Sequence, residues 1–245
     1  MAIFDGQDMV FDDYNFAKDV YVEQVRRPLL QPIENQYEEL ETHALHRKTR
    51  RNSYHIEVDI RLIESKRRDV TDLKRHLAGK LYKSRPCRLY LRGDWRFDMA
   101  VLDSEINFDR FLRTGFATLR FLVYGASYGD LKSPKDTLQV YNTGTDETRP
   151  VITIRPATTQ SQIRIENLTT KESVTIARSI PAGAVLQIGD YTETLQYMEI
   201  ATLDGVTIMG SVWYDADFPT LAVGLNEFSI TGVTGADFAF WERWL

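Results

Sequence analysis

The sequence predicts a two-part, mostly β protein, with an α+β domain over residues 1–135 and an all-β sandwich over residues 136–245. Three observations lead to this fold class. A single convincing helical periodicity occurs, and it lies in the first half. Apolar and polar residues alternate in several segments, as they do in half-buried strands. The second half divides into short apolar runs at roughly ten-residue spacing, which is typical of a sandwich.

Strand and helix signals follow one another in the first half. Pro28 and Pro32 interrupt the opening forty residues, which favour short strands and an extended segment. The helix repeats apolar residues every three or four positions, with Asp69 as its cap and Pro86 blocking its continuation. The predicted elements are a strand over 54–63, the helix over 69–83, a hairpin over 88–92 and 95–102, and a strand over 115–124.

The second half contains strand signals alone. Turn sequences such as Gly189-Asp190 and Asp204-Gly205 separate its apolar runs. A final aromatic strand around Phe238 and Phe240 closes the domain. The other predicted strands cover 151–154, 163–165, 174–177, 185–188, 195–200, 206–209 and 228–230.

Charge also distinguishes the two halves. Residues 1–140 carry 24 Lys and Arg against 22 Asp and Glu, whereas residues 141–245 carry 6 against 13. The first half is therefore densely charged in both signs, which suits contacts with neighbouring subunits. The net charge of −5 argues against sequence-specific nucleic acid as the main partner. No apolar run is long enough to cross a membrane, so we expect no membrane insertion and a chain made in a cytoplasm.

The motifs of the common enzyme classes are missing. The sequence has no glycine-rich phosphate loop and no Gly-x-Ser-x-Gly elbow around a nucleophilic serine. Cys87, the only cysteine, fits a buried small hydrophobe in a strand. His43 and His46 are three residues apart, but basic neighbours and the lack of a third ligand favour solvated histidines over a metal site. We therefore expect no catalytic, metal or cofactor site.

Two acidic and two aromatic residues near position 215 allow further hypotheses. Asp215 and Asp217 flank one residue, and paired carboxylates occur both in glycosidases and in calcium sites. Their position in a loop favours solvated acids instead. Trp213 and Tyr214 are candidates for stacking against sugar rings, although such aromatics more often fill a core.

The strongest charge feature is a segment that runs from acidic to basic over residues 36–52. Its basic half would fit nucleic-acid phosphates, but no aromatic residues alternate with the basic ones to stack bases. An acidic patch that meets a basic patch on a neighbouring copy explains both halves. The candidate inter-subunit contact residues are Glu38, Glu39, Arg47, Lys48, Arg50 and Arg51.

Several motifs, in this order and spacing, resemble the distal tail (Dit) proteins of siphophages. They are Phe4-Asp5-Gly6-Gln7-Asp8, Arg50-Arg51 before Ile56-Glu57-Val58-Asp59-Ile60, the run Arg120–Tyr124 with Tyr128-Gly129-Asp130, Asn142-Thr143-Gly144-Thr145 before Pro150 and Ile152, and Leu221–Phe228. The similarity extends over nearly the whole chain. One departure concerns residues 36–52, which are charged and glycine-free where the family has a glycine-containing turn.

The resemblance implies a structural protein of the virion, assembled in the host cytoplasm. Six copies would form a ring that joins the tail tube to the tail tip or baseplate. The first domain would be tail-tube-like and build the ring, and the galectin-like or carbohydrate-module-like sandwich would project outward. Partners would be the major tail-tube protein, a tail-associated lysin or tail-spike hub protein and a receptor-binding protein. The resemblance implies no cofactor.

Two other functions remain open at this point. A carbohydrate-binding adsorption protein would recognise host wall polymers through Trp213 and Tyr214. A wall-degrading enzyme would use Asp215 and Asp217, although the sequence shows a poor constellation of catalytic groups around them.

Overall fold

The chain forms two compact units, residues 1–127 and residues 128–244, with Leu245 grouped with the first. The computed structural model describes residues 9–29, 31–39, 44–63, 70–91, 93–104 and 115–245. Within these ranges the protein is mostly β-sheet with one α-helix. The expected boundary between an α+β domain over residues 1–135 and a sandwich over residues 136–245 stays a prediction.

The first unit is built on one antiparallel sheet. Its strands are β1 (Met9–Phe11), β2 (Tyr14–Asn15), β3 (Val20–Arg26), β4 (Ile33–Glu39), β5 (Ala44–Arg51), β6 (Tyr54–Leu62), β7 (Cys87–Leu91), β8 (Phe97–Leu102) and β9 (Phe116–Val123). Seven of them follow the order β2-β1-β7-β8-β9-β6-β3, and β4 and β5 form a separate two-stranded sheet.

The sheet of the first unit curls around its own core. Phe11 of β1 and Phe121 of β9 meet edge to face with their ring centroids 5.2 Å apart. Strands three positions apart in a flat sheet would lie about 14 Å from each other, so the contact requires strong curvature. The helix α1 (Val70–Leu81) adds Leu73, Leu77 and Leu81 to the same core at helical spacing.

The second unit is a sandwich of two antiparallel sheets. Its strands are β10 (Ser127–Lys132), β11 (Gln139–Asn142), β12 (Val151–Ile154), β13 (Ile163–Asn167), β14 (Ser173–Ile176), β15 (Leu186–Tyr191), β16 (Tyr197–Leu203), β17 (Val206–Thr207), β18 (Gly224–Ile230) and β19 (Asp237–Trp244). One sheet has the order β17-β16-β15-β12-β19-β10 and the other β11-β18-β13-β14. Alternate residues of both sheets are buried in one apolar core.

The strand pattern follows the sequence closely, with differences at the ends of elements. The alternation over 54–63 corresponds to β6, where every second residue is buried. The helix is shorter than predicted among the described residues, and its expected cap, Asp69, lies outside them. The strands β10 and β11 are not among the strands that the sequence predicted. No described helix has the length and apolar character that crossing a membrane requires.

Candidate functional site

The charged segment that the sequence indicated as a contact loop is an antiparallel hairpin. We call it the arm, residues 33–51, formed by β4 and β5. Ile33 pairs with Arg51 and Glu34 with Arg50 at its base, while Glu39 pairs with Ala44 near its tip. Among the described residues neither strand pairs with any other strand. The arm is thus a two-stranded extension attached through the ends of β3 and β6.

The register separates the candidate contact residues along the arm. Glu38 and Glu39 lie next to residues 40–43, which fall outside the described part. Lys48, Arg50 and Arg51 lie towards the base, opposite positions 36, 34 and 33. The six steps between Ile33 and Glu39 span about 20 Å at the rise of a strand. The register therefore separates Glu39 from Arg51 within one arm, whereas Arg47 lies two residues from Leu45, the partner of Glu38.

A buried carboxylate lies below the base of the arm. Asp98 of β8 is fully buried, and its Oδ1 accepts a hydrogen bond of 2.7 Å from the hydroxyl of Ser127. The guanidinium of Arg27, the residue that follows β3, donates to its Oδ2. Tyr54, at the start of β6, is among the groups that influence the pKa of this carboxyl group. Burial raises the pKa of Asp98, and the nearby charge of Arg27 opposes that shift.

Further bonds fix the two segments that lead into the arm. The side-chain amide of Gln31 donates to the carbonyl of Gly125. The backbone N–H of Asn52 donates to the carbonyl of Pro32 at 2.9 Å, and this bond closes the hairpin across its base. The arm is therefore attached to the first unit by specific polar contacts on both sides.

The outer face of the β3-β6-β9 sheet carries an exposed charge network. Arg26 bonds Glu57 at 3.0 Å and Asp59 at 2.5 and 2.9 Å, and Thr118 donates to Asp59 at 2.6 Å. These donors hold the pKa of Asp59 below its ordinary value, with the bond from Arg26 as the largest cause. Farther along the face Arg61 donates to Glu23. The charges of this face largely neutralise one another.

In the second unit, buried asparagines hold the loops around β11 and β18. The Nδ2 of Asn142 donates to the carbonyls of Asp146 and Leu221 at 2.9 and 3.3 Å, and its Oδ1 accepts from Gly144. A Cβ on Gly144 would collide with the backbone of Arg243, so only glycine fits there. Asn142 and Gly144 belong to one of the motifs that resemble the distal tail family, and both prove to be structural.

Asn226, in another of those motifs, organises the loop before β18. Its Oδ1 accepts from the N–H of Ala222 at 2.9 Å, and its Nδ2 donates to the carbonyls of Ala222 and Gly224. Asn167 donates to the same Oδ1 and to the Thr220 carbonyl at 2.6 Å. Both amides are fully buried, and their bonding capacity is used within the loop.

The aromatic and acidic candidates near position 215 lie on one exposed turn. The Trp213 carbonyl accepts from the N–H of Ala216 at 3.2 Å, which closes the turn. Tyr214 is fully exposed and Trp213 is 45% exposed, so neither belongs to the core, contrary to the commoner expectation for such residues. Asp215 and Asp217 are exposed as well. The turn offers an aromatic surface and no enclosed catalytic cleft.

The other candidate residues have local structural roles where the structure describes them. Cys87 is buried, and desolvation raises the pKa of its thiol. His43 lies outside the described residues. His55 bonds Asp103 at 2.7 Å, and His76 bonds the hydroxyl of Tyr14 at 2.7 Å. No group of three or more potential metal ligands occurs in the described ranges.

The sequence analysis missed the residues that hold the arm. Asp98 interrupts an otherwise apolar run in a predicted strand, and this is a signal of a buried charge with a partner. Arg27 carried no such signal, because its partner is far away in the sequence. Taken together, a two-stranded hairpin and two units with well-bonded loops are the features expected of a structural subunit.

Comparison with known proteins agrees with that class. Residues 143–244 match the family model of the SPP1 Dit siphovirus-type tail component, C-terminal domain. No curated protein sequence matches the chain. The matched region is nearly the whole of the second unit, and the resemblance of the sequence to the siphophage distal tail family is thereby confirmed.

Solved structures of tail proteins share the fold of the whole chain. The SPP1 Dit protein, described as a paradigm of the hub adsorption apparatus of phages that infect Gram-positive bacteria, aligns with a TM-score of 0.76 at 16% identity over 97% of this chain and 99% of its own. A chain of the phage P2 baseplate, in its activated conformation with Ca, aligns with a TM-score of 0.54 at 7% identity over 97% and 98%. Residues 143–244 are thus similar to a siphovirus-type tail component, and the chain shares the fold of the SPP1 Dit protein.

Proposed function

We propose that six copies of this chain form a ring that connects the tail tube to the tail tip or baseplate. The arm is the observation that carries the proposal. It pairs with no other strand among the described residues, although a free two-stranded hairpin is marginally stable alone. A neighbouring copy would supply the surface that it lacks.

The charge distribution of the arm supports a head-to-tail contact. Because Glu39 lies about 20 Å along the arm from Arg51, one arm can meet two different surfaces at once. Identical subunits that contact each other through two different patches close into a ring when the rotation between them permits. The dense charge of both signs in the first unit provides complementary partners.

The proposal also names the proteins that bind the ring. The first unit would stack on the major tail-tube protein. The second unit, whose loops are fixed by buried asparagines, would be a rigid platform for a receptor-binding protein, and a tail-associated lysin or tail-spike hub protein would follow on the distal side. In this role the chain acts in the virion after assembly in the host cytoplasm. The two likenesses to hub and baseplate proteins support this reading.

The test is the mass and shape of the purified protein. Light scattering should give six copies, and negative-stain images should show an open centre. The double variant Arg50→Glu and Arg51→Glu should lose the ring, because it reverses the basic end of the arm. Arg164→Glu with Arg178→Glu makes the same charge change on exposed positions of the second unit and should leave the ring intact.

Two other outcomes would change the proposal. If the ring persists in the arm variant, the arm is not part of the interface between subunits. If the unaltered chain stays monomeric, it should form rings when mixed with tail-tube protein, and failure in that mixture would contradict the ring proposal.

Carbohydrate binding is the second candidate function, and the exposed turn at Trp213 and Tyr214 favours it. Two neighbouring exposed aromatics can stack on sugar rings. The acidic character of the second half opposes binding of anionic wall polymers, so neutral glycans are the better candidates. Binding to host cell walls that disappears in Trp213→Ala and persists in Val206→Ala, a change at another exposed apolar residue, would support this function.

A further inference from the structure

The two segments that lead into the arm converge on one buried carboxylate. Arg27 is the first residue after β3 on the way into the arm, and Tyr54 is the first residue of β6 on the way out. The Arg27 side chain donates to Asp98, which lies on β8 and has no exposed surface, and the charge of Asp98 acts on the pKa of Tyr54. A single side chain of the core therefore bonds the first segment and lies near the second.

The contacts around Asp98 are directional. Ser127 donates to one carboxylate oxygen at 2.7 Å, and the Arg27 guanidinium donates to the other. Bonds between a guanidinium and a carboxylate fix orientation as well as distance. A second nitrogen of Arg27 lies 3.7 Å from Asp94, whose own carboxylate is engaged by Arg96 at 2.8 Å. Arg27 is thereby held at a defined angle where the chain turns out of the sheet.

Arg27 and its sequence neighbour have different environments. The Arg26 side chain is 44% exposed and bonds acids on the outer face of the sheet. Arg27 points to the other side, and its partner Asp98 is 0% exposed. Exposed ion pairs are weak and exchange readily, whereas breaking a buried pair leaves a charge without solvation. The Arg27 contact is thus the one suited to fix the arm.

We propose that Asp98 is a positioning residue that sets the direction of the arm through Arg27. The inference rests on the proposed ring for its consequence in assembly, but the arm geometry can be tested without a ring. With the contact intact, the arm leaves the first unit in one direction. When the contact is broken, the segment after β3 keeps the Gln31–Gly125 bond and the backbone closure between Asn52 and Pro32, and the arm samples several directions.

The arrangement makes the direction of the arm sensitive to acid. The ionisable groups that face Asp98 are Arg27, Tyr54 and Asp94, and Ser127 is the neutral donor. Tyr54 is neutral below about 12, its raised pKa. Protonation of Asp98 removes the negative charge that holds Arg27. Since burial raises the pKa of Asp98, this occurs at a milder pH than for an exposed aspartate.

The experiment measures distances from the arm to the body of the first unit by spin-label spectroscopy. Labels are attached to cysteines at Gln36 on the arm and at the exposed Lys18, in a Cys87→Ser background. Below the concentration of ring formation, the unaltered contact should give one narrow distance peak. In Asp98→Asn and in Arg27→Gln, the narrow peak should be replaced by a broad distribution of distances. In Arg27→Lys, most of the narrow peak should remain.

Acid and a matched variant separate positioning from general destabilisation. Acidification should broaden the peak in the protein with Asp98 and have no effect in Asp98→Asn, which has no carboxyl group to protonate. Arg26→Gln, at the neighbouring arginine, should keep the narrow peak. A narrow peak in both Asp98→Asn and Arg27→Gln would overturn the proposal, as would an identical acid response with and without Asp98.

Failure of this inference and failure of the ring proposal are distinguishable. If Asp98→Asn broadens the distances while the Arg50 and Arg51 reversal leaves the ring intact, Asp98 positions the arm and the arm is not the ring contact. If the reversal abolishes the ring while the distances in Asp98→Asn stay narrow, the arm is the contact and Asp98 does not position it.

Discussion

The two units satisfy their buried polar groups in different ways. In the first unit, the carboxylate of Asp98 is paired with the charged Arg27. In the second, Asn142, Asn167 and Asn226 use neutral amides that bond loop backbone and one another, beside the buried carboxylates of Asp146 and Glu242. An amide has no charge to lose, so the loops of the second unit keep their bonds over a wide pH range.

Because of this difference, the ion pair at Asp98 responds to pH and the bonds of the amides do not. An ion pair at the base of a projecting arm depends on the protonation of one carboxyl group. A network of buried amides forms or breaks as a whole, and each lost partner leaves another group unsatisfied. We infer that the base of the arm contains an adjustable contact and that the amide-bonded loops of the second unit supply a fixed platform.

The largest expected effect comes from breaking the amide network. Asn226→Leu keeps a similar side-chain size but leaves the Ala222 N–H, two carbonyls and the Asn167 amide without their partner. Several unsatisfied buried groups should lower the free energy of unfolding by about 4 kcal/mol. Urea denaturation of the variant measures this loss, and Ser229→Ala, at an exposed position of the same strand, is the control. A loss below about 1 kcal/mol would contradict the network.

The amide network also shows where sequence reasoning succeeds. Asn142 and Asn226 stand in motifs that resemble a family, but the sequence does not say that their side chains bond backbone groups up to 79 residues away. Strands such as β6 and β12 are predictable because alternation is a local property. The partners of a buried amide depend on how distant loops fold together, and no local pattern encodes that.

The arm illustrates the same limit in the first unit. Its charges are evident from composition, but the register that separates Glu39 from Arg51 depends on where the hairpin turns. Proline-interrupted charged segments resemble loops, so the strands β4 and β5 were not individually predicted. Asp98 lies in a strand whose existence was predicted, whereas its partner Arg27 becomes its neighbour only through the curvature of the sheet.

An intermediate effect is expected from breaking the buried ion pair. Arg27→Gln should lower the free energy of unfolding by about 2 kcal/mol at neutral pH, because Asp98 then keeps a charge without its cation. Arg27 is partly exposed, which places this figure below that of a fully buried pair. Urea titrations of variant and unaltered protein at several pH values provide the measurement.

The pH dependence of that loss has a defined sign. Burial raises the pKa of Asp98 above its ordinary 3.8. At pH values between 3.8 and the raised pKa, the folded carboxyl group therefore holds a proton that the unfolded one has released. Its contribution to stability is complete below 3.8 and is lost as the pH rises through the raised value. Once Asp98 is neutral, removing Arg27 changes the free energy of unfolding little. The loss of unfolding free energy caused by Arg27→Gln should therefore become smaller on acidification. A deficit that is constant from neutral to acidic pH would show that Arg27 acts through packing instead.

The smallest effect is expected at the neighbouring arginine. Arg26 is exposed, and its pairs with Glu57 and Asp59 are screened by water and salt. Its bond lowers the pKa of Asp59, so the stability from that carboxylate is present above the ordinary 3.8 and is lost as the pH falls through the lowered value. Arg26→Gln should therefore cause a small loss at neutral pH that high salt abolishes, in contrast to Arg27→Gln, whose loss should persist in salt. Unfolding of both variants at low and high ionic strength tests the contrast. Equal salt sensitivity in the two variants would mean that the buried and exposed arginines do not differ in the way their burial indicates.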